Sequence, residues 1–316
     1  MANLMGRKRL IPVCILLLLL VVTLIIWRDS RTSIAANDKQ RFNLKVEHLQ
    51  YQIQSRFYAY EQVLMGGVGF FEGSDEVGRE EWRIYIEKLN VSEHFPGFQG
   101  IGFSQWIGDA SMLAAHEEKI RLEGFPKYHV KPVRPRDNYT SIIFLEPFDE
   151  RNQKAFGFDM YSEAIRREAM ERARTTGRPA LSGKVELVQE ITTDKQAGFL
   201  LYLPLYSIDR KQDTENEQHD TLIGFVYSAF RAEDLMTGIL QERFPSISFQ
   251  VYDGDQVVES ELLYDSQKER SLKPEQKAPR FTLTNIVNVS GRPWTIVYSS
   301  TKSFSSLEGL SFSWVL

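Results

Sequence analysis

The feature that most constrains this chain lies near its start, where Leu10 to Trp27 form an uncharged run of 18 residues interrupted only by Pro12 and Thr23. A helix of that length rises about 27 Å at roughly 1.5 Å per residue, which just crosses the hydrocarbon core of a bilayer. The alternative is a cleaved signal peptide, with Ser33-Ile34-Ala35 as its small-x-small site. The run is longer than the apolar region of about 7–15 residues usual in such leaders. Arg28, Asp29 and Arg31 also separate it from that site. The reading is a transmembrane helix over 10–27 after a cytoplasmic tail, 1–9, that carries Arg7, Lys8 and Arg9. The only cysteine, Cys14, lies inside the run, so no intrachain disulfide and no cysteine-based metal site can form.

Beyond the span, Phe42, Val46, Leu49, Ile53, Phe57, Tyr60 and Leu64 recur in steps of three and four, the period of an amphipathic helix. The spacing predicts a stalk helix over 28–66, ended by Gly66, Gly67 and Gly69. Its stripe is either an ordinary core face or the seam of a parallel homodimer. A second short helix presents Trp82, Tyr85, Ile86 and Leu89. Short apolar strands then alternate with helices: strands at 99–106, 141–145, 156–160, 184–188 and 198–206, and helices at 111–123 and from a Ser162 cap to a Gly177 stop. The polar stretch Asp209–Asp220 has no apolar residue and reads as a loop between two domains. A second block opens with a strand at 222–230 and a helix through Leu235, Ile239 and Leu240. Strands at 246–252, 281–289 and 294–298 follow, with Asp253-Gly254 as a hairpin turn. Hairpins and short links favour antiparallel sheets. The expected fold class is α+β, with one domain over 67–220 and another over 221–300. Leu307, Leu310, Phe312, Trp314, Val315 and Leu316 make 301–316 read as the start of a second transmembrane helix, the alternative being a short amphipathic tail.

The formal net charge of −4 is spread along the chain without a basic stripe, so nucleic acid finds no electrostatic footprint. No Gly-x-Gly-x-x-Gly run is completed and no Gly-Lys-Ser/Thr occurs, which leaves nucleotide phosphates without a cradle. His116-Glu117 opens like a zinc-protease motif, but Ile120 stands where the second ligand belongs. His48, His94, His129 and His219 show no ligand spacing, and there is no Gly-x-Ser-x-Gly elbow. The pattern points away from catalysis, metals and cofactors and toward a binding module. Asp159 is the candidate of most interest, because a carboxylate amid apolar residues is costly to bury unless something donates to it. The donor is a ligand or the backbone near the following helix start. Phe144, Met160, Leu187, Leu201 and Tyr202 either line a pocket with it or fill a core.

One run of motifs is more specific than any of these. Phe95-Pro96-Gly97-Phe98-Gln99-Gly100-Ile101-Gly102-Phe103 is followed by Leu145-Glu146-Pro147, Gly157-Phe158-Asp159-Met160 and Arg166-Arg167. Ala173-Arg174-Thr175-Thr176-Gly177-Arg178-Pro179, Leu187-Val188-Gln189-Glu190 and Gly198-Phe199-Leu200-Leu201-Tyr202-Leu203-Pro204-Leu205-Tyr206 complete it. In order and spacing it resembles the CHASE domain, the extracellular sensory module of receptor histidine kinases, nucleotide cyclases and cyclic-diguanylate enzymes. The resemblance implies a long helix followed by two PAS-like domains, the first distal and the second proximal to the membrane, with residues after Trp27 outside the cytoplasm, in the periplasm. It implies a homodimeric, membrane-embedded receptor for a small molecule, with its output domain beyond this chain. In the cytokinin-receptor branch the aspartate aligned with Asp159 hydrogen-bonds an adenine-type ligand, which makes a nitrogenous heterocycle a candidate. Tyr202 departs from that branch, where a small threonine stands, so the sequence is closer to bacterial members. A membrane-anchored protein-interaction module without a pocket is the competing reading.

Overall fold

One helix, α1 (Ala2–Glu72), passes both β-sheets of the molecule and gives each a surface to pack on. The computed structural model describes residues 2–95, 97–189, 196–207, 221–240, 244–268 and 278–304, with the side chains of 2–14, 92, 94 and 240 outside that description. The expected second span over 301–316 falls largely beyond these residues. Among the described residues no helix is long and apolar enough to cross a membrane, and the side chains of residues 10–14 of the expected first span lie outside that description. In the rest of that run every large apolar side chain from Ile15 to Trp27 is exposed.

The predicted stripe of α1 is a core face. Phe42, Val46, Leu49, Ile53, Phe57, Tyr60 and Leu64 are each at most 2% exposed, packed against the chain's own sheets. A dimer seam along these residues is therefore unavailable. Gly66, Gly67 and Gly69 do not end the helix, which runs on to Glu72. A Cβ on Gly67 would lie 3.0 Å from Val226 and 3.4 Å from Trp82, and one on Gly66 only 2.8 Å from the Tyr85 hydroxyl. Each glycine costs the helix about 1 kcal/mol, yet these two let α2 (Arg79–Leu89) lie close against it.

After α2 come α3 (Val91–His94), β1 (Phe98–Ile107), α4 (Ala110–Leu122), β2 (Tyr139–Glu146), α5 (Glu150–Gln153), α6 (Ala164–Thr176), β3 (Ala180–Leu181), β4 (Gly198–Tyr206) and β5 (Leu222–Arg231). The first sheet has the antiparallel order β2-β1-β5-β4-β3. Then follow α7 (Ala232–Leu240), β6 (Ile247–Asp253), β7 (Leu262–Asp265), β8 (Thr282–Val289) and β9 (Arg292–Ser300). They build a second antiparallel sheet, β7-β6-β9-β8. The α+β class and antiparallel sheets are as expected.

The boundary at 220/221 is corrected. The strand read as opening the second block is β5, which lies between β1 and β4 at the heart of the first sheet. Residues 209–220, outside the described residues, link two neighbouring strands of one sheet. A polar run has the same composition whether it joins domains or closes a hairpin, so composition misplaced the border. Two predicted strands also shrink. At 156–160 only one parallel bridge forms, Lys131 to Phe158, and at 184–188 only the bridge from Val185 to Gly198.

The sheets are joined through aromatic packing. The Phe57 ring lies 6.0 Å from Phe199 and 6.3 Å from Phe230 of the first sheet, and 5.2 Å edge-on from Trp294 of the second. Polar ties support the contact. The Leu181 amide donates to the Ser290 carbonyl at 3.0 Å, and the Lys184 amide to Asp253 Oδ2 at 2.8 Å. Arg292 grips that same carboxylate at 2.5 and 2.8 Å. Phe57→Ala is expected to lower unfolding stability by about 3–5 kcal/mol, read by denaturant titration of the full chain. A loss below about 1 kcal/mol would show that the sheets stand without this anchor.

Candidate functional site

The face of the first sheet away from α1 is covered by α6 and by a short 3-10 turn, Met160–Ser162. Gly157 permits the approach to that turn: its φ is +78°, and a Cβ there would stand 2.6 Å from the His129 carbonyl. The turn is held by Asp159, which is fully buried. Its Oδ1 accepts from the Thr140 amide at 2.9 Å, the Thr140 hydroxyl at 3.0 Å and the Tyr161 amide at 3.0 Å. Its Oδ2 accepts from the Arg136 guanidinium. The donor that the sequence demanded is thus the protein itself. Ser162, read as the cap of α6, instead donates from its hydroxyl to the Asp159 carbonyl at 2.6 Å. Glu163 caps the helix, accepting from the Ile165 and Arg166 amides.

The six predicted residues are all buried but do not form one site. Phe144 and Leu201 belong to the core on the α1 side, where the Phe144 ring lies 6.2 Å from Phe103 and 6.3 Å from Trp82. Met160, Leu187 and Tyr202 belong to the α6 side. Leu201 and Tyr202 are neighbours on β4, and successive strand residues point to opposite faces, so only one could share a pocket with Met160. Two open clefts, of about 740 and 560 Å³, border β7 and contain none of the six.

On the α6 face the structure adds residues that the sequence reading missed. Tyr227 on β5 pairs with Tyr202 across one strand boundary and with Gly102 across the other. Its ring lies over Gly102, where a Cβ would come within 2.8 Å. Ser104, two residues along β1, shares that face. The hydroxyls of Tyr227 and Ser104 are buried without a hydrogen-bond partner among the described residues. Tyr202 donates weakly to Met160 Sδ at 3.4 Å. Burial pushes both tyrosine hydroxyls above their ordinary pKa, so each stays a neutral donor at physiological pH. The buried Arg166 guanidinium closes the site from α6, donating to the Glu186 carbonyl at 2.8 Å over the Phe158 ring. The usable signal in the sequence was the period-two pattern Gly100, Gly102, Ser104, which leaves β1 nearly bare on one face.

His116, the first residue of the incomplete zinc motif, is buried instead beside Tyr128, Nε2 to hydroxyl 2.8 Å, with the Tyr128 hydroxyl 2.5 Å from Ser141 Oγ.

Two outcomes follow from this geometry. Asp159→Asn should destabilise the ligand-free protein by about 3 kcal/mol, because it strands the Arg136 charge and its neighbouring donors. An unaltered melting temperature would show that the network does not hold the turn. The second concerns pH. Desolvation lowers the His116 pKa from 6.5 to about 4. As pH falls below 6.5, the unfolded chain binds a proton that the folded one refuses. Stability is then lost down to about pH 4, on the order of 3 kcal/mol in full. Thermal unfolding between pH 4 and 8 should show a steeper acid loss for the wild type than for His116→Gln, and parallel curves would refute the assignment.

No curated protein matches the chain. Among solved structures, an extracellular ligand-binding receptor from Desulfohalobium retbaense is similar at 12% identity and a TM-score of 0.48, over 82% of this chain but 40% of that one. The ligand-binding domain of the amino-acid chemoreceptor PctC of Pseudomonas aeruginosa, solved with GABA, is similar at 11% identity and a TM-score of 0.43, over 81% of this chain and 94% of that one. The family model of the CHASE domain matches residues 75–264, from the loop before α2 to β7. That stretch holds the first sheet entire, with both its faces, and the chain belongs to the CHASE domain family of sensory modules.

Proposed function

We propose that this chain is the extracytoplasmic input module of a transmembrane receptor that binds a small molecule between the first sheet and α6. It is anchored through residues 10–27 with its N-terminus in the cytoplasm, acts as a homodimer, and drives a histidine kinase or cyclic-diguanylate output domain encoded beyond this chain. Family membership supports the sensory role. The strand order β2-β1-β5-β4-β3 supports treating the first sheet as a PAS-like unit, which in this reading is the one distal to the membrane.

The observation that carries the ligand site is the pair of buried, unpartnered hydroxyls of Tyr227 and Ser104. Leaving a buried hydroxyl unsatisfied costs about 1–3 kcal/mol, which a ligand bearing hydrogen-bond acceptors recovers. Tyr202, Met160 and Leu187 form the apolar wall, and the pliant Met160 side chain is the group that yields on entry. Asp159 is a positioning residue that sets the Met160 turn. A nitrogenous heterocycle fits through its ring-nitrogen acceptors. The chain's own side chains fill this face, which is also what a protein-interaction module without a pocket would show.

Tyr227→Phe separates the two readings. In the ligand-free chain it should leave stability unchanged or raise it by up to about 1 kcal/mol, since it removes an unmet donor. It should also weaken, about tenfold, any acceptor-bearing compound that thermal-shift screening of amino acids and nucleobases shows to stabilise the wild type saturably. A destabilised variant, with no compound stabilising the wild type, would favour the interaction module.

A further inference from the structure

The larger of the two clefts beside β7 encloses about 740 Å³, within the range of about 300–1,000 Å³ that holds small molecules. It lies where the two sheets meet. Ile165 of α6, Val185 and Gln196 wall it from the side of the first sheet, and Glu233 of α7 and the segment 259–265 wall it from the side of the second. Lys184 and Ser260, both in the lining, are joined by a 2.6 Å hydrogen bond from the lysine Nζ to the serine carbonyl. Met160, Tyr202 and Tyr227 have no part in this cleft, which is separate from the site between the first sheet and α6.

Its lining is acidic. Five carboxylates, of Glu186, Glu233, Glu259, Glu261 and Asp265, face two lysines. Lys184 is engaged by the Ser260 carbonyl, and Lys268, largely exposed, comes only within 3.6 Å of Glu233. Glu259 and Glu261 form no ion pair among the described residues. Carboxylates by themselves would make an ordinary solvated surface, but a second feature is independent of them. Gln196 lines the same cleft, and its amide oxygen is buried without a donor among the described residues. Its amide nitrogen is turned the other way, donating to Asp234 Oδ1 at 3.4 Å. A buried acceptor left unmet favours a ligand that brings N–H groups. Between the polar groups the wall is apolar, formed by Ile165, Val185, Leu262, Leu263 and the Tyr264 ring.

We infer that this cleft is a second ligand site, which takes a linear aliphatic polyamine. Glu261 and Asp265 stand at the two ends of β7, roughly 13 Å apart along an extended strand, and both line the cleft. A single ammonium cannot meet both ends. A methylene chain with an ammonium at each end can, its stem lying on Leu262 and Tyr264 and its N–H groups supplying Gln196 and the carboxylates. A bare metal ion does not fit, because no three acidic or histidine side chains among the described residues are placed to hold one. Since Gln196 and Val185 belong to the first sheet's side and β7 to the second, a bound polyamine braces the two sheets against each other. The inference goes beyond the function proposed above and depends neither on its ligand site nor on its anchoring.

The test is titration of the full chain, in a neutral detergent, with spermidine at about 0.15 M salt, where loose surface attraction between charges is largely screened. Spermidine should bind saturably and raise the melting temperature, whereas butylamine, with one ammonium, and magnesium ion should do neither at the same concentration. Glu259→Gln combined with Glu261→Gln should weaken spermidine about tenfold or more while leaving the melting temperature of the ligand-free chain unchanged. Asp75→Asn combined with Glu76→Gln removes two exposed carboxylates elsewhere and should leave binding as it was. Gln196→Leu, which alters no charge, should weaken spermidine severalfold and keeps the test valid if the double glutamate variant folds poorly. Absence of saturable binding, equal binding of butylamine or magnesium, or equal losses in the two double variants overturns the site. So does undiminished binding in both Gln196→Leu and a folded Glu259→Gln, Glu261→Gln chain.

Discussion

The contact on which the rest of the structure depends is the seating of Phe57 between Phe199 and Phe230 of one sheet and Trp294 of the other. Neither sheet buries its inner face alone; each needs the stripe of α1. With no disulfide available, close packing along one helix face holds both sheets in a fixed relation to the segment that leads back to residues 10–27. Any movement of the first sheet against the second therefore acts on α1. Glu61 bonded to Ser290 and Arg292 bonded to Asp253 mark where it would be felt, next to β3 and the base of α6.

The far face of the first sheet is built on a different balance. Asp159 is satisfied four times over by Arg136, Thr140 and Tyr161 and so fixes the turn bearing Met160. Tyr227 and Ser104, on the same face of the sheet, have no such supply among the described residues. A buried polar network that is complete stiffens a site, and one that is incomplete invites a partner. The two meet through Tyr202, whose hydroxyl reaches Met160 Sδ and whose ring lies 6.2 Å from that of Tyr227.

How much of this was legible in the sequence depends on the range of the signal. The α1 stripe, the strand at β4 and the Gly177 stop of α6 follow from local periodicity and from the one residue that takes φ = +63° freely, and they appear where expected. The placement of β5 does not, because strand order is fixed by pairing across more than a hundred residues, such as Phe98 with Phe230. The candidate site suffered similarly. That a buried Asp159 needs donors follows from its chemistry, but Arg136 arrives from a loop with no motif of its own. Leu201 and Tyr202, adjacent in sequence, are separated onto opposite faces by strand geometry alone.

The sequence by itself determined the family, the α+β class, the long amphipathic helix and the burial of all six candidate residues, because each follows from motif order, composition or a period of two to four residues. Only the tertiary structure decided which stripe of α1 is covered and which is left open. It alone showed that the glycines at its end serve packing, that β5 completes the first sheet, and that Asp159 is held by its own protein. Those outcomes depend on which distant side chains arrive at a given face, and local spacing carries no record of that.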